Sequence, residues 1–486
     1  MPNDRTGYLG RKHNLELQQN RPQLRRYQLD DLAAINNAFE EDRCVLYQGP
    51  TGSGKTVLAT EFIRRRCDRR ILVVTHRDEI MRQFSRAFER LDLEHGIIAP
   101  GYPETKRRVQ LALVMTLSRR LGRMDQTPTL IIIDEAHHAA AKTLRKIIRA
   151  FPHADILGLT ATPRRLDGKP LDDIFDKMVT GPSVAKLIDE GWLAPVTVFV
   201  PPRIPDLARV KIRAGDYNLG QLGPEMYKGI IVDGAIAEYE RRCPKAPAIV
   251  FCVDIHHSKL VAEAFRGRGY RCKHVDGGTP RKQRRALIRA LGNGRIDVLT
   301  NCGLIAEGLD VPGVECVICL RPTQSLALYL QMVGRALRPG KERAIILDHA
   351  GNVYRHGLPT AGRRWSLHGS LLDDCGDGLR RCRVCGAVNP QGAVECTNCG
   401  EQLSQGPRKA PMIIPGQRLA EAIATPVTDG DIAGMTYQEC LKWARADGGK
   451  FSGDRLKRIA RVRGFKPGWV YYARREGKRA GSDRAA

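Results

Sequence analysis

From about residue 24 to residue 180 the chain alternates short apolar runs with amphipathic stretches. The runs Cys44–Gln48, Ile71–Thr75, Leu111–Met115, Leu130–Asp134 and Asp155–Thr160 are almost continuously apolar, the pattern of strands covered on both faces. Between them, Lys55–Arg66 and Asp78–Arg90 carry apolar residues at helical spacing. Strands that alternate with helices need crossover connections, and hence a parallel sheet. Residues 181–240 break the pattern. They hold Pro195, Pro201, Pro202 and Pro205 with little periodicity, and are read as a connector. The alternation then resumes, with strands expected at Ala248–Cys252, Arg271–Val275, Ile296–Thr300, Val314–Cys319 and Ala344–Leu347. Helices are expected at His256–Arg266, Pro280–Leu291 and Ser325–Leu337. The expectation is an α/β protein with two tandem parallel-sheet domains, 21–180 and 241–360, behind a flexible arm at 1–20.

The remainder changes character. Residues 379–402 hold a cysteine cluster, 403–434 are rich in Pro, Gly and Ala and read as a linker, and 435–486 mix bases with aromatics. The net charge of the 486 residues is +26, from 79 Lys and Arg against 53 Asp and Glu. Such a balance points to a polyanionic partner, nucleic acid ahead of an anionic membrane surface. No apolar run approaches the roughly 18 residues of a membrane span, and the first residues do not resemble a signal peptide. A soluble, cytoplasmic protein without a membrane partner is expected.

The chemistry begins after the first strand. Gly49-Pro50-Thr51-Gly52-Ser53-Gly54-Lys55-Thr56 fits the pattern Gly-x-x-x-x-Gly-Lys-Thr/Ser between a strand and a helix. Glycines let backbone N–H groups turn inward around phosphate oxygens, and the helix N-terminus adds its dipole. Lys55 would reach the β- and γ-phosphates and the Thr56 hydroxyl would ligate Mg²⁺. Asp134-Glu135-Ala136-His137 ends the apolar run Leu130–Ile133, which sets two carboxylates at the carboxyl edge of the same sheet. Asp134 is placed to hold Mg²⁺ through water, and Glu135 to orient or deprotonate the attacking water.

These residues resemble those of superfamily 2 helicases and translocases of the DEAH-box type, and further motifs follow in that family's order over residues 25–338. Arg25-Arg26-Tyr27-Gln28 resembles the upstream element in which a glutamine reads adenine. Thr75-His76-Arg77 and Met115-Thr116-Leu117 resemble nucleic-acid-contacting motifs, and Leu159-Thr160-Ala161-Thr162-Pro163 resembles the motif that couples hydrolysis to strand movement through Thr160 and Thr162. Leu299-Thr300-Asn301 through Glu307-Gly308-Leu309-Asp310 resembles a second-domain motif, which implies Thr300 at the nucleic acid and Gly308 and Asp310 at the nucleotide. Gln331-Met332-Val333-Gly334-Arg335-Ala336-Leu337-Arg338 resembles the motif that carries the arginine fingers, Arg335 and Arg338. Arginines arriving from a second domain would stabilise the charge on a γ-phosphate in transfer. On the expected helix the two arginines share a face. The resemblance implies two RecA-like domains, ATP and Mg²⁺ between them, and nucleic acid across the opposite face.

Cys382-x2-Cys385-x10-Cys396-x2-Cys399 has the spacing of a tetrahedral structural Zn²⁺ site, four of the 14 cysteines. Residues 436–475 interleave Trp443, Phe451, Phe465, Trp469, Tyr471 and Tyr472 with bases. These rings are suited either to stacking on bases, Trp469 among them, or to the core of a small module. Helicase motifs, zinc ribbon and tail together resemble RadD-like DNA-repair helicases. The expected activity is a monomeric ATP-dependent DNA motor on single-stranded or forked DNA, acting in repair or recombination. A single-strand-binding or recombination protein is the expected protein partner. A double-strand translocase, an RNA helicase and an ATP-switched binding scaffold remain alternatives.

Overall fold

The computed structural model describes residues 23–66, 68–124, 126–138, 141–165, 170–201, 205, 207, 209–213, 215–227, 229–304, 311, 313–368, 379–381, 388–390, 420–422, 440 and 453–465. The chain divides into two compact units, residues 1–376 with 409–421, and residues 377–408 with 422–486. The first unit contains two α/β lobes.

Lobe 1 runs through α1 (Arg26–Glu41), β1 (Cys44–Gln48), α2 (Lys55–Arg64), β2 (Ile71–Thr75), α3 (Asp78–Arg90), β3 (His95–Ile98), β4 (Val109–Leu113), α4 (Val114–Arg120), β5 (Leu130–Asp134), α5 (Lys142–Ala150), β6 (Asp155–Thr160) and β7 (Lys177–Thr180). Short 3-10 turns at Leu121–Arg123 and Ala136–His138 follow α4 and β5. Its seven strands lie in the order β3-β4-β2-β5-β6-β1-β7 and pair in parallel. The reason is in the side-chain alternation. Val45, Tyr47, Ile71, Val73, Ile132 and Leu157 pack on one face against α1, α2 and α3. Leu46, Leu72, Val74, Ile131, Ile133 and Ile156 pack on the other against α4 and α5. A sheet covered on both faces needs the continuous apolar strands seen in the sequence.

Lobe 2 follows α6 (Val184–Asp189). It comprises β8 (Val196–Val200), the hairpin β9 (Ile212–Arg213) and β10 (Asp216–Tyr217), α7 (Leu219–Met226), α8 (Gly229–Arg242), β11 (Ala248–Phe251), α9 (Ile255–Gly267), β12 (Cys272–Val275), α10 (Arg281–Gly292), β13 (Val298–Asn301), β14 (Cys316–Cys319), α11 (Leu326–Val333), β15 (Ala344–Asp348) and α12 (Asn352–His356). The sheet order is β12-β13-β11-β14-β15-β8, with the strand Ala420–Ala422 at the edge beyond β8. After lobe 2 the chain returns: Leu367 is buried in the lobe 1 core and accepts a backbone hydrogen bond from Leu171.

Four expectations are corrected. Residues 181–240 are not an irregular connector, for they supply α6, β8, the hairpin, α7 and α8, and β8 pairs in register with β15. Prolines before and after the five-residue apolar run Val196–Val200 hid a strand that pairs through its interior. The reading of 403–434 as linker misses the strand Ala420–Ala422. The strand expected at Leu111–Met115 stops at Leu113, and Met115 lies on α4. The helix expected over Ser325–Leu337 stops at Val333, where Gly334 caps it and tight turns follow, with Arg335 N donating to Met332 O. Arg335 and Arg338 therefore do not share a helical face.

In the second unit, β16 (Leu379–Arg381) and β17 (Val388–Pro390) pair antiparallel, and α13 (Gly453–Val462) buries Leu456 and Ile459. The arm 1–20 and the residues Gly308, Asp310, Cys382, Cys385, Cys396, Cys399 and Trp469 lie outside the described residues. No helix among the described residues is long and apolar enough to cross a membrane.

Candidate nucleotide and nucleic-acid site

The loop Gly49–Gly54 leaves the carboxyl end of β1 and opens α2 at Lys55. Gly52 (φ 89°) and Gly54 (φ 79°) adopt the left-handed backbone that glycine permits. A Cβ on Gly54 would also fall 2.7 Å from the Gln28 amide. Lys55 Nζ donates to the carbonyls of Gly49 (2.9 Å) and Pro50 (3.3 Å), so the ammonium lies inside the loop's curve. Burial lowers the Lys55 pKa, the carboxylates of Glu135 and Asp134 oppose that shift, and the Arg335 cation adds to it. Lys55, both carboxylates and an arginine from lobe 2 therefore share one electrostatic neighbourhood.

Asp134 ends β5. Burial and the adjacent Glu135 raise its carboxyl to about 7, against the pull of Lys55. Glu135 follows with φ 52°, an uncommon backbone for a residue with a side chain and one that concentrates at functional sites. Glu135 Oε2 lies 3.4 Å from His137 Nδ1, and that nitrogen lies 3.2 Å from Thr160 Oγ1. Thr160 Oγ1 in turn donates to Thr162 O (2.9 Å) and accepts from Thr162 N (3.1 Å). Gly49 N donates to Thr160 O, and the Gln48 amide donates to Ala161 O. The phosphate loop, the acidic turn and the Thr160–Thr162 turn are thus one hydrogen-bonded assembly.

The upstream element packs on the same loop. Tyr27 Oη donates to Ser53 O (2.7 Å), and the Gln28 amide donates to Ser53 O (3.2 Å) and Gly54 O (3.4 Å). The Arg25 guanidinium lies 4.7 Å from the centre of the Trp192 ring and donates to Tyr27 Oη. Tyr27 belongs to the upstream element quoted from the sequence, whereas Trp192 was not singled out there. The only signal for Trp192 was a large aromatic beside Gly191 in a stretch read as connector.

Lobe 2 meets this assembly at the end of α11. A Cβ on Gly334 would fall 2.7 Å from both Thr51 Cβ and Thr51 Cγ2, so the glycine permits the close approach. Arg335 is buried; Arg338 is half-buried, and burial lowers its pKa. Burial lowers the nearby Lys341 to about 8, and the Arg338 cation adds to that shift. Around this junction, Ser53 Oγ, Thr162 Oγ1 and Gln331 Nε2 are buried without a hydrogen-bond partner. Each such group costs about 1–3 kcal/mol unless satisfied, and the oxygens of a bound phosphate with their water shell would offer such partners. With Lys55 and Thr56 on the loop and Asp134 opposite, the donor set fits a nucleoside triphosphate with Mg²⁺.

The nucleic-acid candidates divide. His76 is exposed at the end of β2, and Thr116 is half-buried on α4 beside Met115, which is 59% exposed. Arg77 donates to Leu304 O of lobe 2 (3.3 Å). Thr75 and Thr300 are fully buried. The Thr75 hydroxyl meets Arg77 O two residues on, and that of Thr300 donates to Ser258 O on α9, so both side chains are engaged inside their own lobe. Across the same edge, Arg284 of α10 pairs with Glu79 of α3 at 2.7 Å, and Arg281 lies 3.6 Å from Asp78. Ser258, His274 and Asp276 line up in the manner of a hydrolytic triad. Ser258 is fully buried and bonded to Thr300, so the group ties α9 to β12 and β13.

Two parallel-sheet lobes, a phosphate loop and acidic pair on one and an arginine on the other define an ATP-hydrolysing engine. Residues 21–165 match the family described as Type III restriction enzyme, res subunit, and residues 234–340 match the Helicase conserved C-terminal domain. The chain is 33% identical over 367 residues to a 51.5 kDa protein of a Lactococcus phage, covering 74% of this chain and 78% of that protein. It is 30% identical over 357 residues to a Saccharomyces cerevisiae protein named as an ATP-dependent helicase, IRC3. That match covers 68% of this chain and spans about half, 52%, of the yeast protein. It is 23% identical over 365 residues to a Sulfurisphaera tokodaii protein named DNA 3'-5' translocase XPB2, covering 67% of this chain and 81% of that one. The chain belongs to the superfamily 2 helicases, nucleic-acid-dependent ATPases built on two RecA-like lobes.

Proposed function

We propose that this chain is a DNA motor that couples ATP hydrolysis to translocation along, and separation of, DNA strands in repair or recombination, with a zinc-stapled tail of the RadD-like kind. The observation that carries the motor reading is the junction where Gly334 abuts Thr51 and Arg335 acts on Lys55. Lobe 2 closes on the triphosphate through these residues, and loss of the γ-phosphate removes the anion that holds Arg335 in place. Thr56 and Asp134 would hold Mg²⁺, which would supply charge neutralisation at the phosphates. Lys55 binds them, Glu135 orients water with His137 bracing it, and Arg335 meets the charge that develops. DNA is favoured over RNA by the combination of the upstream Arg25-Arg26-Tyr27-Gln28 element with the Gln331 start of the arginine motif, and by the protein named as a DNA translocase among the relatives.

The zinc reading rests on the cysteine spacing and on the β16–β17 hairpin, whose connecting residues include Cys382 and Cys385. Metal analysis of the purified chain should return one zinc per chain, lost when Cys382 and Cys396 are replaced by serine.

The test of the motor is ATP hydrolysis with no nucleic acid, single-stranded DNA, duplex DNA, forked DNA and RNA, with Lys55→Ala as control. Strongest stimulation by single-stranded or forked DNA supports the proposal. Stimulation by duplex alone replaces it with a translocase that does not separate strands. A preference for RNA overturns it.

A further inference from the structure

Three imidazoles stand in a row between the nucleic-acid edge and the catalytic carboxylate. His76 is exposed at the end of β2, His138 is half-buried at the end of the Ala136–His138 turn, and His137 is buried. The rings of His76 and His138 meet edge to face, centres 5.0 Å apart at 71°. Those of His138 and His137 lie 4.2 Å apart at 41°. His137 Nδ1 then sits between Thr160 Oγ1 and Glu135 Oε2, and Glu135 carries a backbone in the left-handed region. The helicase motif accounts for His137, the histidine of Asp-Glu-Ala-His. It does not call for a second imidazole at 138.

We propose that His138 is a positioning residue that carries the presence of a nucleic-acid strand from His76 to Glu135. The proposal rests on the reading of the His76 edge as the nucleic-acid track. A phosphate beside His76 accepts from the imidazole N–H and draws the ring outward. Flat rings in contact, edge to face for His76 and His138 and tilted for His138 and His137, attract in an orientation-dependent way, so His138 and then His137 follow. His137 braces the carboxylate that must face water, and its neighbour Glu135 occupies a sparsely populated conformation that small shifts in its surroundings reorient. The ladder thus gives nucleic acid a route to the hydrolytic step without touching the nucleotide.

The test uses the full chain with His138→Ala and His138→Phe. The kcat and KM for ATP are measured with and without saturating single-stranded DNA, and DNA affinity by fluorescence anisotropy. For His138→Ala, the DNA-free rate and the DNA affinity should stay within about twofold of wild type. Its DNA-stimulated kcat should fall about fivefold to tenfold at unchanged KM, the size of coupling that intermediary residues carry. His138→Phe keeps a flat ring and should retain most of the stimulation. Equal loss with and without DNA makes His138 merely structural and overturns the proposal, as does unchanged stimulation in His138→Ala. A phenylalanine variant as defective as alanine overturns the ring contact as its basis. A wild-type chain unresponsive to any nucleic acid is a separate failure, that of the track reading beneath it.

Discussion

The two lobes share an architecture and divide the chemistry unequally. Lobe 1 holds Lys55, Thr56, Asp134 and Glu135 at the carboxyl ends of β1 and β5. It also holds the Arg25, Tyr27 and Gln28 contacts that grip the loop from upstream. Lobe 2 brings to the phosphate loop a glycine that lets it approach and an arginine, Arg335, whose charge reaches Lys55. Arg284 adds an ion pair to Glu79 of lobe 1, whereas other polar groups of lobe 2 are used within the lobe. Asp216 ties the β9–β10 hairpin to Arg321, Thr323 and Gln324, and His356 lies 2.9 Å from Thr323 O. The difference teaches how such an engine is controlled. In the proposed motor one lobe holds the reactants and the other the group whose arrival makes reaction possible, so that lobe approach is itself the switch.

The division is broken most severely at the hydrolytic groups. Glu135→Gln should leave ATP binding intact and lower kcat by about a hundredfold to ten-thousandfold, the worth of a positioned base; nucleotide binding by fluorescence alongside phosphate release checks it. Gly334→Ala puts a Cβ 2.7 Å from Thr51 and 2.8 Å from Leu330 O. It should depress kcat through lobe approach while a nucleotide still binds lobe 1, measured the same way. Trp192→Ala removes the ring under Arg25. A cation over an aromatic face is worth about 0.5–2 kcal/mol, so KM for ATP should rise about twofold to thirtyfold with kcat little changed.

The smallest effect separates the lobes by acid. Burial lowers His257, His349 and His356, all in lobe 2, to about 4 from an ordinary 6.5. Their folded forms refuse a proton that the unfolded chain accepts. Their contribution to stability is therefore complete above pH 6.5 and drains as pH falls toward 4. Asp348, raised by burial to about 6, works in the opposite direction, one group against three. Hydrogen exchange at stepped pH should show lobe 2 loosening before lobe 1.

Lobe 1 was legible because its strands are long apolar runs that end directly in motif residues; β1, β2, β5 and β6 lie where the pattern placed them. β3 and β7 were missed because four residues, partly polar and at or near a sheet edge, carry too little signal. β8 was missed because flanking prolines disguised it. The phosphate loop and acidic pair were legible since their spacing is local. Trp192 was not, because its partner Arg25 is far away in sequence and only the fold brings them together. Thr75 and Thr300 matched motifs, yet motif identity does not report burial, and both side chains face inward. Helical spacing likewise suggested a shared face for Arg335 and Arg338, but α11 ends at Val333, before either of them.

The claim that lobe 2 completes a site held by lobe 1 is tested most directly by Arg335→Ala. ATP affinity and DNA-stimulated hydrolysis are measured on the full chain beside wild type. ATP should bind with nearly wild-type affinity while the stimulated kcat falls about a thousandfold, the worth of an arginine supplied to a transferring phosphoryl group. Hydrolysis at the wild-type rate would show that lobe 1 works alone and would contradict the division of labour.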